Sequence, residues 1–71
     1  MFEIIKCYMR LRRMDRLNRG FIRVGKVLEN DEMIKASEEA LRLSNIVKKK
    51  IWINRKLAKN YNLQFEEQGF K

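Results

Sequence analysis

Five cations and the single tryptophan of the chain fall within nine residues, Lys48-Lys49-Lys50-Ile51-Trp52-Ile53-Asn54-Arg55-Lys56. Ammonium and guanidinium groups attract anions, and an indole among them offers a flat apolar surface on which a base can stack. A second set, Arg10, Arg12, Arg13, Arg16 and Arg19, is all arginine. Its planar forks grip phosphate oxygens bidentately, where lysines act more as a diffuse field. The chemistry these residues offer is anion recognition, not bond making. The chain has no histidine and one cysteine, so it lacks the side chains for a zinc site, and no metal or other cofactor is expected. Glu3, Asp15 and the acids of 29–39 form no pair with a plausible base. Gly20-Phe21-Ile22-Arg23-Val24-Gly25 lacks the further glycines and the Lys-Ser/Thr of a phosphate loop. The sequence therefore reads as a non-enzymatic binding protein.

The cations are unevenly spread. Residues 1–28 hold eight basic and two acidic side chains, 29–44 two basic and five acidic, and 45–60 six basic and none acidic. Two basic blocks flank an acidic hinge. The formal net charge of +8 suits nucleic acid, an anionic membrane face or an acidic protein. Lys48, Lys49 and Lys50 have no acid nearby in sequence to offset their repulsion, which favours an anionic ligand.

The elements that must position these groups are helices. Ile4, Cys7, Leu11, Met14, Leu17, Phe21, Val24 and Leu28 recur at alternating steps of three and four, one apolar stripe on a first helix. Cys7 lies on that stripe and is expected as a buried small hydrophobe. Gly20 and Gly25 oppose this reading, each costing about 1 kcal/mol in a helix interior. Glu29-Asn30-Asp31-Glu32 is the turn and the start of a second helix. Asn30 or Asp31 can cap it, and the acids complement its dipole. The second helix continues through Met33, Ala36, Ala40, Leu43, Val47, Ile51 or Ile53, Leu57 and Tyr61, fraying at 60–62. If it is continuous, Asn45, Lys48, Lys49, Trp52, Arg55, Lys56 and Lys59 share the face opposite Leu43, Val47 and Leu57.

The expected fold is all-α: an antiparallel two-helix hairpin in one domain, 1–71, with 62–71 as a flexible tail whose Phe65 and Phe70 can fold back onto the core of the hairpin. The alternative is a small α+β fold with strands near 21–28 and 50–54, where Phe, Ile, Val and Trp concentrate. A chain of 71 residues buries only about 60% of its unfolded surface, and one cysteine cannot make an intrachain disulfide. Self-association or a larger partner is therefore expected to complete the core. There is no apolar run of about 18 residues, so no transmembrane segment is expected. The start of the chain lacks a signal-peptide pattern, and the lone thiol suits a reducing, cytoplasmic setting. The Ile, Lys and Asn content suits an AT-rich coding sequence such as that of a low-GC bacterium or a phage.

Leu57-Ala58-Lys59-Asn60-Tyr61-Asn62-Leu63 resembles the first helix and turn of helix-turn-helix proteins, which implies a DNA-reading helix after Asn62. The segment that would supply it, 64–71, is short and carries Glu66, Glu67 and Gly69, a poor fit to a major groove. Ser37-Glu38-Glu39-Ala40-Leu41 resembles the Ser-Gln-Glu-Leu-Asp motif of small helical-hairpin phosphatases of sporulation response regulators. The aspartate that family relies on is replaced here, so the likeness implies a hairpin and no activity.

Three functions follow as expectations. The first is binding of nucleic acid or a ribonucleoprotein. Arg10, Arg13, Arg16, Lys48, Lys49, Arg55, Lys56 and Lys59 would contact phosphates, and Trp52 would stack or anchor. No motif that reads bases separates RNA from DNA. The second is a small regulatory inhibitor or adaptor that docks on an acidic surface of a larger protein, with Trp52, Met9, Met14 and Tyr8 as anchors. The third is a membrane-surface helix over 1–19, weakened because its cations do not keep to one face.

Overall fold

The computed structural model describes residues 2–69 and resolves three helices: α1 (Phe2–Val27), α2 (Asp31–Ile51) and α3 (Arg55–Glu67). Two expectations are corrected. The chain is not a two-helix hairpin, because α2 stops at Ile51 and a third helix follows. The α+β alternative also fails: 21–27 belongs to α1, 50 and 51 close α2, and no residue among those described is in a strand. Ile, Val and Phe at 21–27 repeat with the period of a helix, and that period outweighs their β propensity.

The α1–α2 connection is short. Glu29 takes a left-handed backbone (φ 54°). Its N–H donates to the Lys26 carbonyl at 3.3 Å, and the Asn30 N–H donates to the Gly25 carbonyl at 2.8 Å. This is the paired closure that ends many helices, usually with glycine at the left-handed position. Asn30 then caps α2, its side-chain oxygen accepting from the Met33 N–H at 3.1 Å. Gly25 is required by close approach, since a Cβ there would lie 2.8 Å from Ile34 Cγ1. Glu29→Gly is expected to stabilise the chain by about 1 kcal/mol, because glycine occupies the left-handed region without a Cβ clash. In a domain this small that raises the melting temperature by about 4–8 °C at fixed protein concentration. An unchanged or lower midpoint would contradict this reading of the turn.

The break between α2 and α3 rests on Asn54. Its side-chain oxygen accepts from the Leu57 N–H at 3.1 Å, while Trp52 and Ile53 form the turn. The chain reverses there, so α3 runs antiparallel to α2 and alongside the N-terminal half of α1. Ile4, Cys7 and Leu11 of α1, Ile51 of α2, and Ala58 and Phe65 of α3 are buried together. Tyr8, Met14, Val47, Leu57 and Tyr61 pack around them. Phe65 thus joins the core, and Phe70 lies outside the described residues. Cys7 is fully buried, and burial pushes its thiol pKa up. Residues 57–63 lie within α3, and Asn62, where the helix-turn-helix likeness puts a turn, is buried inside that helix.

The molecule measures 41 × 23 × 14 Å, its length set by the 26 residues of α1. α3 has 13 residues and covers only half of the hairpin.

Candidate nucleic-acid interface

The break at Trp52 divides the expected surface. Tyr8, Asn45, Lys48, Lys49 and Trp52 line one open hollow between the start of α1 and the end of α2. Arg55, Lys56 and Lys59 line another with Glu3. The residues expected on one continuous helical face are therefore shared between two helices. Both groups of cations sit at helix ends, with opposite consequences. Lys48, Lys49 and Lys50 complement the negative C-terminal end of α2. Arg55 and Lys56 oppose the positive N-terminal end of α3, whose first turn holds no acid.

Trp52 is 50% exposed and follows the last residue of α2. Its ring lies 5.8 Å from that of Tyr8, tilted by 51°. Tyr8 packs on the core, and Lys48 Nζ stands 5.6 Å from its ring centroid. Tyr8 therefore supports the indole on one side and leaves much of it open to a ligand. Holding the ring this way reduces the ordering cost of stacking on it.

Two expected phosphate contacts are committed to the fold. Lys48 pairs with the buried Asp15 across the α1–α2 interface, and the lysine side chain is only 17% exposed. The other Asp15 oxygen, Oδ1, and the Ser44 hydroxyl have no hydrogen-bond partner. Arg10 is buried and clamps α3. Its Nη1 donates to the Asn62 carbonyl and to Asn62 Oδ1, both at 3.2 Å, and its Nη2 donates to Glu66 Oε1 at 3.3 Å. Asn62 is oriented by its own donation to the Glu3 carbonyl at 3.0 Å. Hydrogen bonds from Lys6 and then Arg10 hold the Glu66 carboxyl below the usual carboxylate range.

The other expected site residues face water. Arg16, Lys49, Arg55, Lys56 and Lys59 are exposed. Arg13 lines a third hollow with Met9, Arg12, Arg16 and Arg19. Arg12 lies four residues along α1 from Tyr8, so the arginine row begins about one turn from the aromatic pair. From Tyr8 to Arg19 this strip is about 16 Å long.

The sequence reading missed three parts of the arrangement. Tyr8 is the support of Trp52, and Asp15 and Asn62 hold Lys48 and Arg10 in the fold. None of these pairings has a local signal, since the partners lie 33 to 52 positions apart. Among the described residues no cluster of three or more His, Cys, Asp or Glu could hold a metal ion, and no helix is long and apolar enough to cross a membrane. Comparison with protein-family models, curated proteins and solved structures finds no match.

Proposed function

We propose that this chain is a non-enzymatic binding protein for single-stranded nucleic acid, free or within a ribonucleoprotein. The observation that carries the reading is the half-exposed Trp52, backed by Tyr8, with Lys49 beside it and an arginine row beginning about a turn away. A duplex hides its base faces, so a stacking platform is of use chiefly where bases are unpaired. Arg12, Arg13, Arg16, Arg19 and Lys49 supply the phosphate contacts along one strip, and Arg55, Lys56 and Lys59 supply a second field. Arg10 and Lys48 serve as positioning residues, the one holding α3 and the other Tyr8.

The test is titration with a short single-stranded oligonucleotide at low salt, following Trp52 fluorescence. Quenching is expected. Trp52→Ala should weaken binding by about 5- to 100-fold, the worth of one base–aromatic stack. Arg16→Ala and Lys49→Ala should each lower the slope of log K against log salt by about 0.7. Fluorescence and mobility that ignore both RNA and DNA at low salt would rule the reading out.

One feature favours the rival, a regulatory adaptor on an acidic protein surface. Met9 is 52% exposed among four arginines, an apolar anchor inside a positive hollow. On that reading the chain captures a protein from nuclease-treated lysate in a stoichiometric complex, with weak salt dependence and no oligonucleotide response.

A further inference from the structure

Beyond the end of α3, one face of the hairpin is covered by nothing in the described chain. Along α1 and into the turn, Leu17, Phe21, Val24 and Leu28 are 51%, 50%, 48% and 63% exposed. They continue the stripe whose first members, Ile4, Cys7 and Leu11, are buried. On α2, Leu43 is 48% exposed and lines, with Met14, Ala40 and Phe65, a hollow that opens where α3 ends. A chain with so small a core leaves half of its best apolar seam in water.

We infer that this face is closed by a second copy of the same chain, the two α1 seams crossing antiparallel about a twofold axis between Phe21 and Val24. The spacing is self-complementary in that direction. Steps of four, three and four set Leu17 against the second copy's Leu28, and Phe21 against its Val24, the alternation of a coiled-coil seam. α3 fixes the direction, since a parallel pair would bring both third helices to the same end. In the antiparallel pair each turn stops about level with Met14, beside the end of the other copy's α3. Charge agrees with this register. The acidic turn of one copy, with Glu29, Asp31 and Glu32, comes level with Arg16 of the other, in the half of the arginine row away from Trp52, so pairing and phosphate share that one residue of the strip. Half-exposed side chains of this size, with Leu43, offer about 400 Å² of apolar surface per copy, half of the roughly 800 Å² each partner gives to a standard interface. That places the pair at the weak, concentration-dependent end of the range. Trp52 and Arg55 of the two copies then lie at opposite ends of the pair, which gives two separate anion-binding strips.

Sedimentation equilibrium over a concentration series tests the pairing. The expected mass rises to twice the 8.7 kDa of one chain. Phe21→Asp should hold the chain monomeric with its helical circular dichroism intact, because the side chain it replaces is half exposed. Val24→Lys is the second variant should that one fail to fold. The register is tested by a nitroxide on Arg55→Cys, since the buried Cys7 escapes labelling. Dipolar spectroscopy should give about 50 Å between copies, from about 18 residues of helix rise on each side of the axis. A wild-type chain that stays monomeric overturns the inference, even if a different protein occupies the face. So does a dimer that survives both substitutions with helix content unchanged, or a label distance of a parallel pair.

Discussion

Lys48→Ala is expected to remove about 3 kcal/mol of stability, although it deletes one of three consecutive lysines. A chain of this length has about 4–10 kcal/mol to lose, so the variant is partly unfolded at moderate temperature. The reason lies in Asp15, which is 2% exposed. Lys48 meets one of its carboxylate oxygens, and the other has no partner. Without the ammonium the carboxylate is a buried, unpaired charge between two helices, among the costliest defects a single substitution can make. Lys49→Ala is the control. It removes the same charge one residue on, from an exposed position, and should stay within about 0.5 kcal/mol of wild type. Replacing both partners, Asp15→Leu with Lys48→Met, should restore most of the loss, because the pair's desolvation cost disappears with it. Chemical denaturation of all four proteins at one concentration decides the matter. Equal losses for Lys48→Ala and Lys49→Ala would show that the pair contributes nothing. Binding should divide the other way. Lys49→Ala weakens nucleic-acid affinity in a stable fold, whereas Lys48→Ala acts through Tyr8, whose ring its Nζ faces, and loosens Trp52.

The same residues show why some of the fold was legible in the sequence and some was not. The stripe from Ile4 to Leu28 predicts one helix, and α1 is one helix, because the three-four alternation is a local property and outweighs Gly20 and Gly25. The cap of α2 was legible to within one residue, Asn30 or Asp31, because acids follow, and the fold uses Asn30. The end of α2 was not. Val47 and Ile51 keep helical phase, but reaching Leu57 takes a step of six, and bridging that gap with Ile53 hid the break. Asn54 is as good a cap as Asn30, yet Arg55 and Lys56 follow it where acids are expected. The basic surface was legible as composition. Its division into two hollows depended on that break. The burial of Arg10 and Lys48 depended on partners brought close only by folding.

Arg10→Met is expected to cost about 3 kcal/mol and to unfold the chain as a unit. The guanidinium makes three hydrogen bonds to α3, two of them to Asn62, which is 2% exposed. A methionine fills the space of the stem but leaves the Asn62 carbonyl and Oδ1 without that donor, at about 1–3 kcal/mol for each buried group left unmade. Glu66 contributes less, since its side chain is 45% exposed and water screens its pairing. Arg10→Lys separates the roles. It keeps the charge, so a purely electrostatic residue would tolerate it, but it loses the fork that reaches Asn62 and Glu66 together. It should cost about half as much as Arg10→Met, with the salt slope for nucleic acid unchanged. The loss cannot stay local to α3. Ala58 and Phe65 close the core over Ile4, Cys7, Leu11 and Ile51, and lifting them exposes the buried apolar cluster of the chain. Hydrogen exchange in α3 and in the first half of α1 should therefore accelerate by the same factor in the variant. Faster exchange confined to α3 would mean that the α1–α2 hairpin stands without it. The α3 clamp would then be a lid on the fold, and Arg10 would be free to serve the phosphate strip when it opens.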